Sequence, residues 1–225
     1  MEKSFEEIIG YSFKSEKLKG MALSHSSYVN ENRLSPAESN ERLEFLGDAV
    51  VELVVTEYLY GRYPELLDGD LTKLRACVVC EPTLAQRARE LNLARELKLG
   101  RGEEQTGGAD RPSILSDLFE AVTGAIYVDG GLEEARRFVL RELIPEIDEK
   151  RGSFLQIDAK TFLQEKLQKN GAVDISYDVI SEEGPEHDKL FTVSVSLNGA
   201  VLGTGKGRSK KEAAQSAAAE ALEKL

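Results

Sequence analysis

Asn40-Glu41-Arg42-Leu43-Glu44-Phe45-Leu46-Gly47-Asp48 opens a long amphipathic stretch that continues from Glu41 to Tyr60. At about 100° per residue, Glu41, Glu44 and Asp48 fall within roughly 60° of one another on one helical face. Acids that share a face repel one another, so such a helix loses stability unless a cation or a basic partner sits there. A second pair with the same spacing, Asp117 and Glu120, lies in Ser113-Ile114-Leu115-Ser116-Asp117-Leu118-Phe119-Glu120-Ala121, which is otherwise mostly apolar. If the two helices pack side by side, their acidic faces converge. Hard oxygen donors without His or Cys suit Mg²⁺ or Mn²⁺ rather than zinc. Mg²⁺ held by carboxylates supports phosphodiester hydrolysis. In a chain with 40 acidic residues, a solvated acidic face produces the same spacing, so both readings stay open. Gly47 leans towards the first, because a glycine inside a helix costs about 1 kcal/mol and marks close packing or access.

Outward from this stretch, residues 5 to about 148 read as helix after helix: Glu41–Tyr60, Leu71–Cys80, Pro82–Leu93, Ile114–Val128 and Leu132–Glu149. Pro82 fits a first helical turn, and Gly130-Gly131 fits a stop followed by a restart. Asn30–Ser39 and Arg101–Pro112 read as the longer loops. No period-2 pattern interrupts this part, so an all-α domain is expected over residues 1–149.

The rhythm then changes. Residues 150–157, beginning Lys150-Arg151-Gly152-Ser153, read as a linker, and Ala159–Lys169 as a helix. Ile175, Tyr177 and Val179 alternate with polar residues, as do Phe191, Val193, Val195 and Leu197. Asn198-Gly199 marks a hairpin turn, Val201–Gly207 a third strand, and Ser209–Leu225 an Ala-rich helix. The order α-β-β-β-α over 158–225 predicts a small α+β domain with both helices on one face of an antiparallel sheet.

The chain has 225 residues and a net charge of −11, which taken alone argues against binding nucleic acid. The distribution matters more: from Asp158 onward 9 basic residues meet 11 acidic ones, against 20 and 29 before it. Lys206, Arg208, Lys210 and Lys211 cluster near the C-terminal end. Ser209 and Glu212 read as a capping box, with Lys210 and Lys211 in a first turn where free N–H groups and the helix dipole already favour phosphate. Gly205 and Gly207 read as allowing a tight turn just before it. Cys77 and Cys80 have CxxC spacing but no second pair, and His25 and His187 are distant in sequence; two small buried helix residues are the expectation. No apolar run approaches the ~20 residues that cross a bilayer, and the N-terminus shows no apolar signal region, so a soluble cytoplasmic protein without a membrane partner is expected.

The stretch Asn40–Asp48 closely resembles the signature of the ribonuclease III family. His25-Ser26-Ser27-Tyr28, Gly69-Asp70-Leu71-Thr72 with Arg75-Ala76, and Gly107-Gly108 before Ser113–Asp117 resemble it too, so the likeness covers essentially the whole chain. It implies that Glu44, Asp117 and Glu120 bind metal and that Asp48 is a catalytic carboxylate beside them, counted with the metal set. Glu120 is implied to be catalytic too, and Glu41 to be an accessory acid near the scissile strand. The implied enzyme is a Mg²⁺-dependent endoribonuclease, with Mn²⁺ able to substitute and no organic cofactor. It would cut both strands of double-stranded RNA as a homodimer and leave 5′-phosphate and 3′-hydroxyl ends with a short 3′ overhang. Ribosomal RNA precursors and some messenger RNAs are its implied substrates. Phe45 matches an aromatic residue that plugs into the partner subunit; ordinary core packing is the alternative for its position.

The C-terminal order, with Gly203-Thr204-Gly205-Lys206-Gly207-Arg208-Ser209-Lys210-Lys211-Glu212-Ala213-Ala214, resembles a double-stranded-RNA-binding domain, which reads A-form shape across two minor grooves and the phosphates between them. The resemblance places Thr161, Gln164, Glu165 and Gln168 at one minor groove, and Pro185, Glu186 and His187 at the other. Lys206, Ser209, Lys210 and Lys211 are expected at the phosphates. Asp174, Asp178, Glu182 and Glu183 are expected to face away from RNA. Two other function classes compete: a binder that grips duplex RNA without cutting, and a phosphohydrolase of small nucleotides. The complete set of acids speaks against the first, and the shape-reading module against the second.

Overall fold

The computed structural model describes residues 3–168, 173–185 and 188–225, with backbone alone at 152–158 and 165. Its contacts divide the chain into two units, Met1–Asp148 and Glu149–Leu225. The first unit is helical: α1 Phe5–Ile9, α2 Glu16–Ala22, α3 Ser26–Glu31, α4 Glu41–Arg62, α5 Asp68–Val78, α6 Glu81–Glu90, α7 Arg101–Gln105, α8 Pro112–Gly130, and the start of α9, Leu132–Gln168. The stretch 150–157, expected as a linker, has helical backbone within α9. Both expected loops carry structure: a 3₁₀ turn at Pro36–Glu38 capped by Ser35, and α7 followed by a 3₁₀ turn at Gly108–Asp110.

α8 forms because it is apolar almost all round, as a helix at the centre of a core must be. Leu115, Leu118, Phe119, Val122, Ala125 and Ile126 are all fully buried. Pro112 opens it, where a missing N–H costs nothing. α4 turns Leu43, Gly47, Val50, Val51, Val54, Val55 and Leu59 inward, the i, i+3/i+4 stripe of a helix packed on one face. Its four valines are poor helix formers in isolation, so burial against α8 outweighs their propensity.

The two helices meet at glycines. A Cβ at Gly47 would lie 1.8 Å from the carbonyl oxygen of Glu120, and one at Gly124 would lie 2.1 Å from that of Leu43. Gly47 also faces the Gly124 backbone nitrogen, so α4 and α8 run antiparallel in backbone contact.

Cys77 and Cys80 are not a buried pair. Cys77 is exposed near the end of α5, and Cys80 is the half-buried N-cap residue of α6. The Cys80 thiol donates to the Cys77 carbonyl at 3.2 Å, as the Thr83 hydroxyl does at 3.1 Å. The helix expected over Leu71–Cys80 ends two residues sooner, and the turn out of it carries Cys80 away from the core face.

In the second unit, β1 Ile175–Glu183, β2 Leu190–Leu197 and β3 Ala200–Gly207 form an antiparallel sheet in the order β1-β2-β3, followed by α10 Lys210–Lys224. Asn198 and Gly199 have φ of 48° and 82°, the paired positive values of a type I′ hairpin turn. The alternation read in β1 holds for Ile175 and Tyr177, which pack on the core, and fails at Val179, which is exposed. Val179 is still paired with the buried Val193, and the register shift that follows it, before Ser181, leaves Ile180 unpaired.

Gly205 and Gly207 make no tight turn. Both are strand residues without positive φ, and a Cβ there would strike the α10 backbone at 2.1 Å and 2.5 Å. With Gly203 they form a bare strip on which Ala213, Ala217 and Ala221 lie.

Gly47→Ala should destabilise the chain by about 2 kcal/mol or more, because the clash is with backbone and a well-packed core relaxes little. Urea unfolding reads this directly. Gly61→Ala, where a Cβ meets open space on the same helix, should leave stability unchanged or slightly raised.

Candidate active site

The glycine crossing sets the site. Glu44 lies one turn before Gly47 on α4, and Glu120 belongs to the turn of α8 that Gly47 touches. Asp117 lies one turn before Glu120. Each of Glu44, Asp117 and Glu120 offers a carboxylate oxygen, and these three atoms lie within 4.8 Å of one another. All three residues are half-buried. Glu41 and Asp48 flank them on α4 and are exposed. Asp48 is therefore beside the trio rather than in it, close enough for its charge to act on Glu120 and Glu44, as that of Glu41 acts on Glu44.

Other buried acids in this unit have basic partners. Glu142 and Glu146 share Arg87, at 3.1 Å and 3.8 Å, and Asp70 has Lys73 at 3.6 Å. Among the described residues, no Lys or Arg forms an ion pair with Glu44, Asp117 or Glu120. The consequence is visible in their acidity. Burial, reinforced by Asp117, Glu41 and Asp48, pushes Glu44 from 4.5 up to about 7. Burial, with Asp48, Asp117 and Glu44, pushes Glu120 up to about 8. Asp117 is also raised by burial, with His25 opposing the shift and Glu81 adding to it. A cluster of oxygen donors that cannot all ionise unaided fits a hard divalent cation, which would remove the repulsion that raises these values.

His25 and Glu81, absent from the expected site, are neighbours of Asp117. His25 is the N-cap residue of α3; its Nδ1 accepts from the Ser27 N–H at 3.2 Å. The Asn40 N–H donates to the Ser24 carbonyl at 2.8 Å, tying the start of α4 to the residue before His25. A histidine far away in sequence carries no signal for this placement beyond its presence in His25–Tyr28. Phe45 projects outward from α4 and is 82% exposed, which excludes ordinary core packing for it within this chain.

In the second unit, Thr161, Gln164 and Gln168 are exposed on one face of α9, opposite the buried Ala159 and Leu163. Glu186, His187 and the side chain of Glu165 lie outside the described residues. Lys206, Ser209, Lys210 and Lys211 are exposed around the start of α10. Half of the expected capping box forms: the Glu212 N–H donates to Ser209 Oγ at 3.1 Å, but the Glu212 carboxylate accepts from the Arg208 N–H at 2.8 Å rather than from Ser209. Glu182 departs from its expected orientation. Its carboxylate lies 2.9 Å from Lys210 Nζ, on the side expected for phosphate.

The raised acids give a sign to the pH dependence. A carboxyl whose folded pKa lies above its unfolded value stabilises the fold at low pH, and that contribution is lost as pH rises through the folded pKa. In chelator, the melting temperature should fall from about pH 5 to about pH 8 as Glu44 and Glu120 ionise against one another. Glu120→Gln should flatten this fall, and Mg²⁺ should restore the wild type most at the alkaline end. Superimposable pH–stability curves for wild type and variant would contradict these electrostatics.

Comparison with known proteins agrees with this geometry. A family model described as Ribonuclease-III-like matches residues 15–147, and one described as Double-stranded RNA binding motif matches residues 159–225. The chain is similar to proteins named Ribonuclease 3, with 51% identity to one from Bacillus cereus (strain G9842) and 52% to one from Bacillus anthracis (strain CDC 684 / NRRL 3495). Each match covers 99% of this chain and 91% of the relative. Among solved structures it resembles the nuclease domain of ribonuclease III from Campylobacter jejuni, with a TM-score of 0.58 and 43% identity, covering 62% of this chain and 93% of that one. The Campylobacter jejuni domain is described as structurally flexible in a region involved in dimer formation. With two converging acidic helices, an α-β-β-β-α module and half its sequence shared across nearly its whole length, this chain belongs to the ribonuclease III family, endoribonucleases that act on double-stranded RNA.

Proposed function

We propose that the chain hydrolyses phosphodiester bonds in double-stranded RNA with Mg²⁺ held by Glu44, Asp117 and Glu120, and that Mn²⁺ can substitute. The products would be 5′-phosphate and 3′-hydroxyl ends with a short 3′ overhang. The observation that carries this reading is the convergence of three half-buried carboxylates, without a basic partner among the described residues, at the Gly47–Gly124 crossing. Bound there, Mg²⁺ would polarise the phosphoryl oxygen, lower the pKa of an attacking water and stabilise the leaving oxygen.

The remaining roles belong to the chain's own groups. Asp48, exposed beside Glu120, would accept a proton from a water at the mouth of the cluster. Glu41 lies two turns before Asp48 on the same exposed edge, where it would face the cut strand. α4 and α8 hold these groups on helices rather than loops, which keeps the distances between them short and constant.

In this reading residues 1–149 cut, residues 158–225 grip, and 150–157 join them. The gripping face comprises Thr161, Gln164, Glu165 and Gln168 on α9, His187 in the β1–β2 loop, and Lys206, Ser209, Lys210 and Lys211 around α10. The protein would act as a cytoplasmic homodimer, with the exposed Phe45 entering the partner subunit and one cutting site per protomer. Two-fold symmetry matches the approximate two-fold relation between the strands of a duplex. Precursors of ribosomal RNA and some messenger RNAs are the proposed cellular substrates.

Purified protein should cut long duplex RNA with Mg²⁺ and stop when the metal is chelated. Glu120→Gln should abolish cutting while a gel shift shows unchanged binding; cleavage by that variant would refute the metal assignment. Replacing Lys206 and Lys211 with Ala should weaken duplex binding and lower the slope of log K against log salt by about one for each lysine. An unchanged slope would remove both lysines from the phosphate contacts.

A further inference from the structure

Lys210 occupies the first turn of α10, where backbone N–H groups and the helix dipole favour an anion, but an anion is already there. Its Nζ lies 2.9 Å from Oε1 of Glu182 and stands 5.5 Å from the ring centre of Phe191. The other oxygen of Glu182 lies 3.5 Å from Nζ of Lys189. Glu182 and Phe191 are cross-strand partners in β1 and β2, so the strand pairing itself sets the carboxylate beside the ring that Lys210 crosses. Lys206 and Lys211, by contrast, form no ion pair among the described residues.

The paired carboxylate is held below the usual carboxylate range, chiefly by its bond with Lys210. The next acid along, Glu183, takes a hydroxyl of Ser181 and, among the described residues, no lysine. Among the described residues, Glu182 is thus the acid that forms an ion pair with a side chain of the basic cluster, in a chain whose net charge is already −11.

We infer that Glu182 is a built-in competitor of RNA phosphate for Lys210, and so sets the strength with which the module grips a duplex. This inference rests on the reading of Lys210 as a phosphate contact. A phosphate that reaches Lys210 must displace a carboxylate which the fold supplies without loss of translational freedom. Ligands that also engage Lys206, Lys211 and the α9 face can bear that cost; an isolated phosphate gains nothing else to offset it. The pair is partly exposed, so the penalty is moderate and screened by salt.

The test uses the full chain in chelator, so that RNA is bound but not cut, with fluorescence anisotropy of a labelled long duplex at low and physiological salt. Glu182→Gln should tighten binding about three-fold at low salt, the factor expected for loss of an exposed ion pair. The gain should shrink at higher salt. Glu183→Gln removes the same charge one residue away and should give a clearly smaller gain. Lys210→Ala should weaken binding, and Glu182→Gln added to it should then gain little. Equal gains from the two glutamine variants, or a gain that survives in the Lys210→Ala background, would reduce the effect to bulk charge and overturn the inference. Weaker or unchanged binding by Glu182→Gln, with Lys210→Ala still impaired, would overturn the inference alone and make Glu182 a positioning partner of the lysine. Unchanged binding by Lys210→Ala would overturn the phosphate contact and the inference together.

Discussion

The backbone contact between α4 and α8 is the constraint on which the first unit depends. Two helices with ordinary side chains at their crossing stand 8–10 Å apart, roughly, because side chains must interdigitate between them. Gly47 and Gly124 remove those side chains at the crossing point. The helices then close up, and acids one turn away on either helix are carried to within reach of one another. The same absence that makes a glycine unfavourable within an isolated helix makes this approach possible. Burial of the valine face of α4 against the apolar α8 holds the crossing shut.

Closing the helices creates an electrostatic problem as well as a site. Glu44, Asp117 and Glu120 are half-buried with no lysine or arginine on them among the described residues, whereas Glu142, Glu146 and Asp70 in the same unit are paired. The fold tolerates the arrangement because the carboxyls can keep protons, which is what the raised Glu44 and Glu120 express. A hard cation resolves the conflict differently, by stabilising the ionised forms together. Stability and metal affinity are therefore linked at one point: the repulsion that weakens the cation-free chain is what a cation relieves.

The second unit repeats the device of bare backbone. Gly203, Gly205 and Gly207 leave a strip of β3 without side chains, and the small residues Ala213, Ala217 and Ala221 let α10 rest on it. The start of that helix, with Ser209, Lys210 and Lys211, is fixed in place as a result. An acidic chain can present a basic edge because the lysines are gathered there. The cross-strand placement of Glu182 moderates the edge from within.

The sequence by itself determined the two classes of structure, since helical and strand periods are local properties of hydrophobic spacing. It also determined the candidate acids, because Asn40–Asp48 is specific enough to identify a family and to align Asp117 and Glu120 with it. The hairpin at Asn198-Gly199 is legible for a similar reason: few residues adopt positive φ in succession. Tertiary structure decided what lies between distant residues. Gly124 carries no signal in sequence because its role exists only opposite Gly47. Cys77 is exposed in the last turn of α5 and Cys80 falls beyond its end as the half-buried N-cap of α6, so neither is the buried helix residue that the sequence led us to expect. The bulge that follows Val179 in β1 is announced by no period. Glu182 meets Lys210 rather than facing away from it, because sequence spacing says nothing about which strand edge meets which helix terminus. Local periodicity follows from the geometry of neighbouring residues, whereas proximity of Glu44 to Glu120, or of Glu182 to Lys210, depends on how closely two backbones can approach.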